Sequence, residues 1–251
     1  MRKAREFQIL ELLSQCGRIE VASLARRLEV SQVTIRKDLD TLEERGILRR
    51  EHGFAVLGSP DDVNSRLAVH YEEKRHIAKR AAELVSPGET VMIESGSCCA
   101  LLAEEIAQNK PGATIITNSA FIASYIRRAE GARVVLLGGD FQNDAQVTVG
   151  PILQVCARQF FVERLFVGAD GWSPELGFAG SDHLRVQAVR DMAAQAAQVV
   201  VVTESRKFSQ RGTVPLNLTV SAVVTDGGLT RDQAVRLNGI RVYQAEEERG
   251  L

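Results

Sequence analysis

The chain has 251 residues, 45% apolar and 25% charged, with a formal net charge of −1 at pH 7. That is enough apolar material for a sizeable core in one large domain, or in a small and a medium one, and it leaves no bulk charge to attract a polyanion: residues 1–58 hold eleven Lys/Arg against nine Asp/Glu, and the remainder twenty against twenty-three. No run of 18 apolar residues exists to span a membrane, and the four cysteines, Cys16, Cys98, Cys99 and Cys156, show neither framework spacing nor a CxxC pair, which fits a reduced, cytoplasmic chain.

The opening MRKAREFQIL is charged and lacks an apolar stretch, so no secretory signal is expected. Phe7, Leu10 and Leu13, with Ile9 beside them, form a helical stripe that stops near Cys16-Gly17. Val21, Leu24, Ala25 and Leu28 form a second stripe. Ser31 then stands where a hydroxyl can cap a helix start, and Ile35, Leu39 and Leu42 repeat behind it at i, i+4 and i+7. Gly46 can end that helix cheaply in the left-handed region. The segments ILRR and FAVL flank Glu51-His52-Gly53 as a short two-stranded hairpin.

Gly58-Ser59-Pro60-Asp61-Asp62 is polar and turn-rich and marks a boundary. The expected division is a first domain over 1–58, a linker over 59–70 and a second domain over 71–251. A charged, alanine-rich helix is expected over 70–85. Apolar runs follow at 90–94, 114–117, 133–137, 164–169, 198–203 and 221–225, with helical stretches between most of them. That rhythm predicts an α/β fold with a mostly parallel sheet, and RVYQA near the end reads as an edge strand.

Three helices and a hairpin within the first domain match the plan of a winged helix-turn-helix, whose third helix enters the major groove of DNA. On the helical wheel Ile35, Leu39 and Leu42 face inward, Val33, Lys37 and Asp40 face away, and Thr34, Arg36 and Thr41 flank them. The outward set has the required chemistry: Arg36 and Lys37 for phosphate or guanine, Thr34 for either, Val33 for a thymine methyl. With Ser31 and Gln32 at the helix start, and Arg49, Arg50 and His52 in the wing, these are the candidate DNA-contacting residues. Asp40 stands oddly among cations, suited to orient a neighbouring arginine or to face solvent. Periodicity alone equally allows a small helical bundle with a solvated charged face.

The run LARRLEVSQVTIRKDLDTLEERGILRREHG, Leu24 to Gly53, closely resembles the N-terminal signature of the DeoR family of bacterial transcription repressors. The resemblance lies in Ser31 to Leu39, in the Leu42 to Gly46 turn and in the wing, where Phe54 replaces the second glycine of a His-Gly-Gly pattern. It continues through EEKRHIAKRAAELVSPGETVMIESGS, Thr117-Asn118-Ser119, Gly138-Gly139, LFVGADG (165–171) and Ser205-Arg206-Lys207-Phe208, with TIRKDL and LFVGADG closest to the glucitol-repressor branch. It implies sequence-specific binding to double-stranded operator DNA, control of a sugar or sugar-alcohol operon, and a C-terminal sensor domain similar in fold to ribose-5-phosphate isomerase. That sensor binds a phosphorylated sugar and is not itself an enzyme.

The residues agree with that implication. Ser95-Gly96-Ser97 lies between a predicted strand and a helix, where open amides at a helix start can hold an anion, with Cys98 next in line. Ligands of parallel sheets gather at the carboxyl ends of strands. Thr117, Asn118, Ser119, Gly138, Gly139 and Asp170 follow predicted strands, and Lys207 can pair with phosphate or a ring oxygen. Two departures stand out. The family's Asp-Ser-Gly-Thr-Thr loop is here Glu94-Ser95-Gly96-Ser97-Cys98-Cys99, and an acidic residue usual in the helix near 185–192 is absent. No His or second Cys pair lies near Cys98 and Cys99, so neither a metal nor a cofactor is expected. The competing reading is a sugar-phosphate isomerase with a DNA-binding appendage, for which Asp170 or Glu204 would be the base and Lys207 would stabilise an enediolate. Paired half-sites imply a homo-oligomer, a dimer or a tetramer.

Overall fold

The computed structural model describes residues 2–57 and 63–245, and the chain divides into two compact units, Met1–Glu72 and Glu73–Leu251. The first unit runs α1 (Arg2–Cys16), β1 (Arg18–Glu20), α2 (Val21–Arg27), α3 (Gln32–Glu44), β2 (Arg49–Glu51), β3 (Phe54–Val56) and α4 (Val63–Ala68). Its core is built from Ile9, Leu10 and Leu13 of α1, Leu24 of α2, and Ile35, Leu39 and Leu42 of α3, all essentially inaccessible to solvent. In α1 the buried stripe is Ile9, Leu10 and Leu13, while Phe7 is only half-buried. Val63 and Leu67 of α4 are buried in the same unit, inside the stretch expected to be a linker; the Gly58-Ser59-Pro60-Asp61-Asp62 boundary lies outside the described residues.

Ser31 caps α3 as expected: its hydroxyl accepts from the Thr34 N–H at 3.1 Å. The helix ends where Gly46, at φ +74°, donates to the Glu43 carbonyl. The wing differs from the expected two-stranded hairpin. It is a three-stranded antiparallel sheet in the order β1-β3-β2. Strand β1 is only three residues, one of them buried, which is too short for alternation to announce. Glu51 pairs directly with Phe54, so His52 and Gly53 alone make the turn, both at positive φ (46° and 86°). That is the primed geometry whose twist suits a tight hairpin, and glycine is the residue that accepts it cheaply.

Helix α5 (Tyr71–Ala82) crosses the boundary, and the second unit continues with β4 (Thr90–Ile93), α6 (Ser97–Asn109), β5 (Ala113–Thr117), α7 (Ala120–Tyr125) and β6 (Ala132–Leu136). A hairpin of β7 (Asp140–Gln142) and β8 (Val147–Val149) precedes α8 (Pro151–Ala157) and β9 (Val162–Val167). Then come β10 (Gly171–Ser173), β11 (Gly177–Gly180), α9 (His183–Ala193), β12 (Ala196–Val202), a 3-10 turn at Ser205–Ser209, β13 (Val214–Pro215), β14 (Ala222–Thr225), α10 (Arg231–Arg236) and β15 (Arg241–Gln244). The main sheet has seven strands in the order β15-β14-β12-β9-β4-β5-β6, every pair parallel. Its central runs are almost wholly apolar because both faces are covered: Val91, Ile93, Leu165, Phe166, Val201 and Val223 are inaccessible. The expected edge strand is β15. The antiparallel pieces β7-β8 and β10-β11-β13, unforeseen from the sequence, are built of strands two to four residues long, and β10 and β11 carry glycines.

The strand order positions the site. From β4 the chain adds β5 and β6 on one side, then returns to place β9, β12, β14 and β15 on the other. The direction of winding therefore reverses between β4 and β9. At such a switch point the loops leaving the two strands diverge and open a crevice at their carboxyl ends.

Candidate functional site

Two surfaces carry the candidate residues. On α3, Gln32, Val33, Arg36, Lys37 and Asp40 are exposed, with Val33 at 59% exposure despite its apolar side chain. The hydroxyls of Ser31 and Thr34 lie 2.9 Å apart, so both take part in the helix cap. The Arg36 guanidinium reaches the Gln32 amide oxygen at 3.5 Å. In the wing Arg49 and His52 are exposed, while Arg50 forms an ion pair with Asp40 and donates its backbone N–H to Glu43 Oε1 at 2.9 Å. Asp40 thus orients a neighbouring arginine.

The inward face of α3 also holds a charge that hydrophobic periodicity skips. Asp38 is buried and takes both Arg5 Nε (2.5 Å) and Arg5 Nη2 (3.2 Å). The hydrogen bond to Asp38 raises the Arg5 pKa against the opposing effect of burial. Its wheel position between Ile35 and Leu42 was the available signal, since a charge there must be paired to be tolerated. Phe54, the departure in the wing, lies beneath the Arg18 guanidinium, 3.9 Å from the ring centroid. A cation over an aromatic face is attractive, and this stacking ties β1 to β3.

In the second unit, Glu94, Thr117-Asn118-Ser119, Gly138, Gly168-Ala169-Asp170 and Glu204 follow β4, β5, β6, β9 and β12 on one sheet edge. Glu94 ties the two strand ends at the β4/β9 switch point, and sequence reasoning noted it only as a departure. Its Oε2 accepts the N–H groups of Gly96 and Gly168, both at 3.0 Å, and its Oε1 accepts the Ser95 hydroxyl at 2.6 Å. A Cβ on Gly96 would lie 3.4 Å from Gly168 Cα, and the reverse distance is the same. Two glycines facing each other let the ends of β4 and β9 close around one carboxylate. The loop was expected to offer open amides and two hydroxyls; the Gly96 amide and the buried Ser95 hydroxyl are instead engaged by Glu94. Ser97, half-buried, begins α6, and no side chain caps that helix.

The remaining candidates have local partners. Thr117 Oγ1 accepts from Ser119 N–H, and Ser119 Oγ caps α7 by accepting from Ile122 N–H, each at 3.1 Å. Asn118 donates to the Thr148 carbonyl at 3.1 Å, leaving its buried Oδ1 without a partner. Gly139 allows a close strand crossing: a Cβ there would lie 2.5 Å from the Val149 carbonyl oxygen. Gly138 lies beside Cys156 and Ile152. Asp170 accepts from Ser181 Oγ at 2.8 Å, and Ser181 in turn accepts from Arg185 Nη2 at 3.3 Å. Lys207 is half-buried in the 3-10 turn. Nearby in sequence, Glu204 is buried, held by Arg206 at 2.8 and 3.2 Å, with Lys74 of α5 at 3.9 Å. Lys74 is 1% exposed and shares the buried face of α5 with Ile77, Ala78 and Ala81, whereas the helix's other lysine, Lys79, is half-buried.

Cys98 and Cys99 are buried in the first turn of α6. A helix start favours a thiolate, but burial wins here. It pushes Cys98 up to about 12, helped by Glu204, and pushes Cys99 well up, helped by Glu94. Both are neutral thiols at neutral pH. In the native protein Cys16, which is exposed, is expected to be alkylated rapidly by iodoacetamide, with Cys98 and Cys99 reacting only after denaturation. Rapid native labelling of either, mapped by peptide mass, would contradict this placement. Among the described residues no group of three or more His, Cys, Asp or Glu could hold a metal ion, and no helix is long and apolar enough to cross a membrane.

Comparison with known proteins places both units. A family profile described as the DeoR C terminal sensor domain matches residues 69–227, and one described as a DeoR-like helix-turn-helix domain matches residues 5–60. An aga operon transcriptional repressor of Escherichia coli O157:H7 is 28% identical over 253 residues, covering 97% of this chain and 94% of its own. The HTH-type transcriptional regulator UlaR of Shigella sonnei (strain Ss046) is 32% identical over 218 residues, covering 84% and 85%. Among solved structures, ribose 5 phosphate isomerase A from Neisseria gonorrhoeae aligns over 56% of this chain and 54% of its own, at 18% identity and a TM-score of 0.42.

Proposed function

Because the chain belongs to the DeoR family and carries both its helix-turn-helix and its sensor domain, we propose that it is a cytoplasmic repressor of a sugar or sugar-alcohol operon, released from its operator by a phosphorylated sugar. In this reading α3 lies in the major groove. Val33, Thr34, Arg36 and Lys37 meet base edges and phosphates there, while Arg49 and His52 of the wing meet the backbone. A homo-oligomer, dimer or tetramer, reads paired half-sites. The observation that supports the sensor half is the reversal of winding between β4 and β9, which gathers Glu94, the start of α6 and Asp170 at neighbouring strand ends.

The effector's phosphate meets the first amides of α6, Ser97 and Cys98, where the helix dipole favours an anion. Its hydroxyls meet Glu94 and Asp170 as acceptors, and Lys207 lies on the β12 side. The isomerase alternative needs a base free to take a proton from carbon. Glu204 is buried and held by Arg206 and Lys74, and Asp170 is engaged by Ser181, which favours binding over turnover.

The test is an operator titration with and without sugar phosphates, using the native chain and Gly96→Asp. Gly96 Cβ would stand 3.4 Å from Glu94 Oε2, so the variant sets a second carboxylate against the first and adds bulk. The native protein should lose operator affinity by about 5–150-fold with its effector, the usual range of coupling between sites. Gly96→Asp should remain folded, bind operator and ignore the effector. A folded Gly96→Asp protein with a native response would place the phosphate elsewhere. Turnover of pentose or hexose phosphates by the native chain would overturn the repressor reading in favour of the isomerase.

A further inference from the structure

The recognition helix and the wing are joined by a charge arrangement that the proposed DNA contacts do not explain. Arg49 and Arg50 are adjacent in β2, and a wing arginine would ordinarily be assigned to a phosphate. Arg49 is exposed. Arg50 is half-buried, its guanidinium paired with Asp40 and its backbone N–H held by Glu43 Oε1 at 2.9 Å. Both carboxylates project from α3, one turn apart, and Asp40 lies on the same outward side as Lys37. A carboxylate on a surface that meets a polyanion costs affinity through repulsion, so its presence calls for a compensating role.

We infer that Asp40 is a specificity-determining residue: it holds Arg50 against the recognition helix, withdraws that cation from sequence-independent phosphate contact, and fixes the angle between helix and wing. The inference rests on α3 being the DNA-reading helix. Phosphate contacts supply most of non-specific affinity and carry no sequence information directly. A regulator that must find one site among many therefore gains discrimination by restraining a cation that would otherwise strengthen every site alike. Because Arg50 is itself held at two points, its side chain and its main chain, the pair also limits how far the wing can swing when the helix docks.

The experiment is a double-mutant cycle on the full chain with Asp40→Asn, Arg50→Ala and the combination, each checked for a native melting curve. Arg50→Gln serves as a second removal that keeps most of the side-chain stem. Affinity is measured for a duplex of random sequence and for the strongest binder selected from a random pool, across a salt series. With Arg50 present, Asp40→Asn should raise affinity for the random duplex several-fold and steepen the slope of log affinity against log salt by about 0.9, the increment of one added phosphate contact. Affinity for the selected duplex should rise less, so the ratio between the two falls. In the Arg50→Ala and Arg50→Gln backgrounds the same substitution should leave the slope unchanged.

An equal gain from Asp40→Asn with and without Arg50 would mean simple removal of a repelling charge and would overturn the inference, as would no gain in either background. Arg36→Ala separates this from failure of the underlying reading. If it weakens the selected duplex about 5- to 150-fold, the range for losing a base contact, α3 reads DNA and the cycle judges Asp40 alone. If it weakens neither duplex, the helix assignment and this inference fall together.

Discussion

Replacing Lys74 by alanine is expected to destabilise the second unit by about 2–4 kcal/mol, the cost of emptying the space of a long buried side chain and of removing one of the two cations beside Glu204. Lys74 and Glu204 are 1% and 7% exposed at their side chains and 3.9 Å apart. The alanine variant removes the ammonium from Glu204 and opens space where a long side chain had packed. Glu204 keeps Arg206, which is 41% exposed and so a weaker substitute. Lys74→Met should cost less than Lys74→Ala because it preserves volume. Combining Lys74→Met with Glu204→Gln should recover part of the remainder, since a pair neutralised together leaves no orphaned charge. Urea unfolding followed by far-UV circular dichroism reads all three. A Lys74→Ala protein within about 1 kcal/mol of native stability, the size of an ordinary exposed pair, would show that the contact contributes nothing beyond one.

The second large effect falls on the first unit. Asp38→Ala removes both hydrogen-bond acceptors from the Arg5 guanidinium and leaves a hole among Ile35, Leu39 and Leu42. Arg5 is 20% exposed, so water recovers part of the loss, and about 2–3 kcal/mol is expected. In a unit of this size each kcal/mol lowers the melting temperature by roughly 4–8 °C, so α3 should become unstable well below the native transition. Operator binding by the variant should be close to native in the cold and vanish on warming, whereas loss of a direct contact would weaken binding at every temperature. Hydrogen exchange of the α1 and α3 amides tests the cause: unchanged protection in Asp38→Ala would refute it.

The legibility of the chain follows the physics of each signal. Helices α2 and α3 and all seven strands of the main sheet could be read because buried apolar residues repeat with helical or strand period over several residues. Strand β1 could not, since Arg18-Ile19-Glu20 offers a single apolar residue and its pairing partner β3 lies more than thirty positions away. The small sheet β10-β11-β13 escaped for a related reason: Gly171, Gly177 and Gly180 are there for close backbone approach or a turn, and carry no hydropathy signal. At the β4/β9 switch point, the loop and strand ends were visible from Gly-Ser composition and position. The role of Glu94 was not, because it depends on Gly168, seventy-four residues away, presenting its N–H to the same oxygen. Asp38 and Lys74 share that limit. A charge on an apolar face is a puzzle in one dimension and is solved only by a partner that the fold brings in.

The winding order of the main sheet also governs how the protein is made. β4 is the first strand of this sheet to be synthesised and ends up in its interior, with Val91 paired to Arg164 and Ile93 to Phe166. Until β9 has left the ribosome, one whole edge of β4 has no neighbour, and the apolar run Thr90–Ile93 stands open beside the half-sheet β4-β5-β6. Pairings this distant along the chain form slowly, and open edges during that interval invite association with other chains. The first unit, which ends at Glu72, can be complete before β9 is translated. The nascent chain thus holds a finished helix-turn-helix while its sensor is still half a sheet. Its demand for chaperones should therefore peak over the stretch of synthesis between β6 and β9.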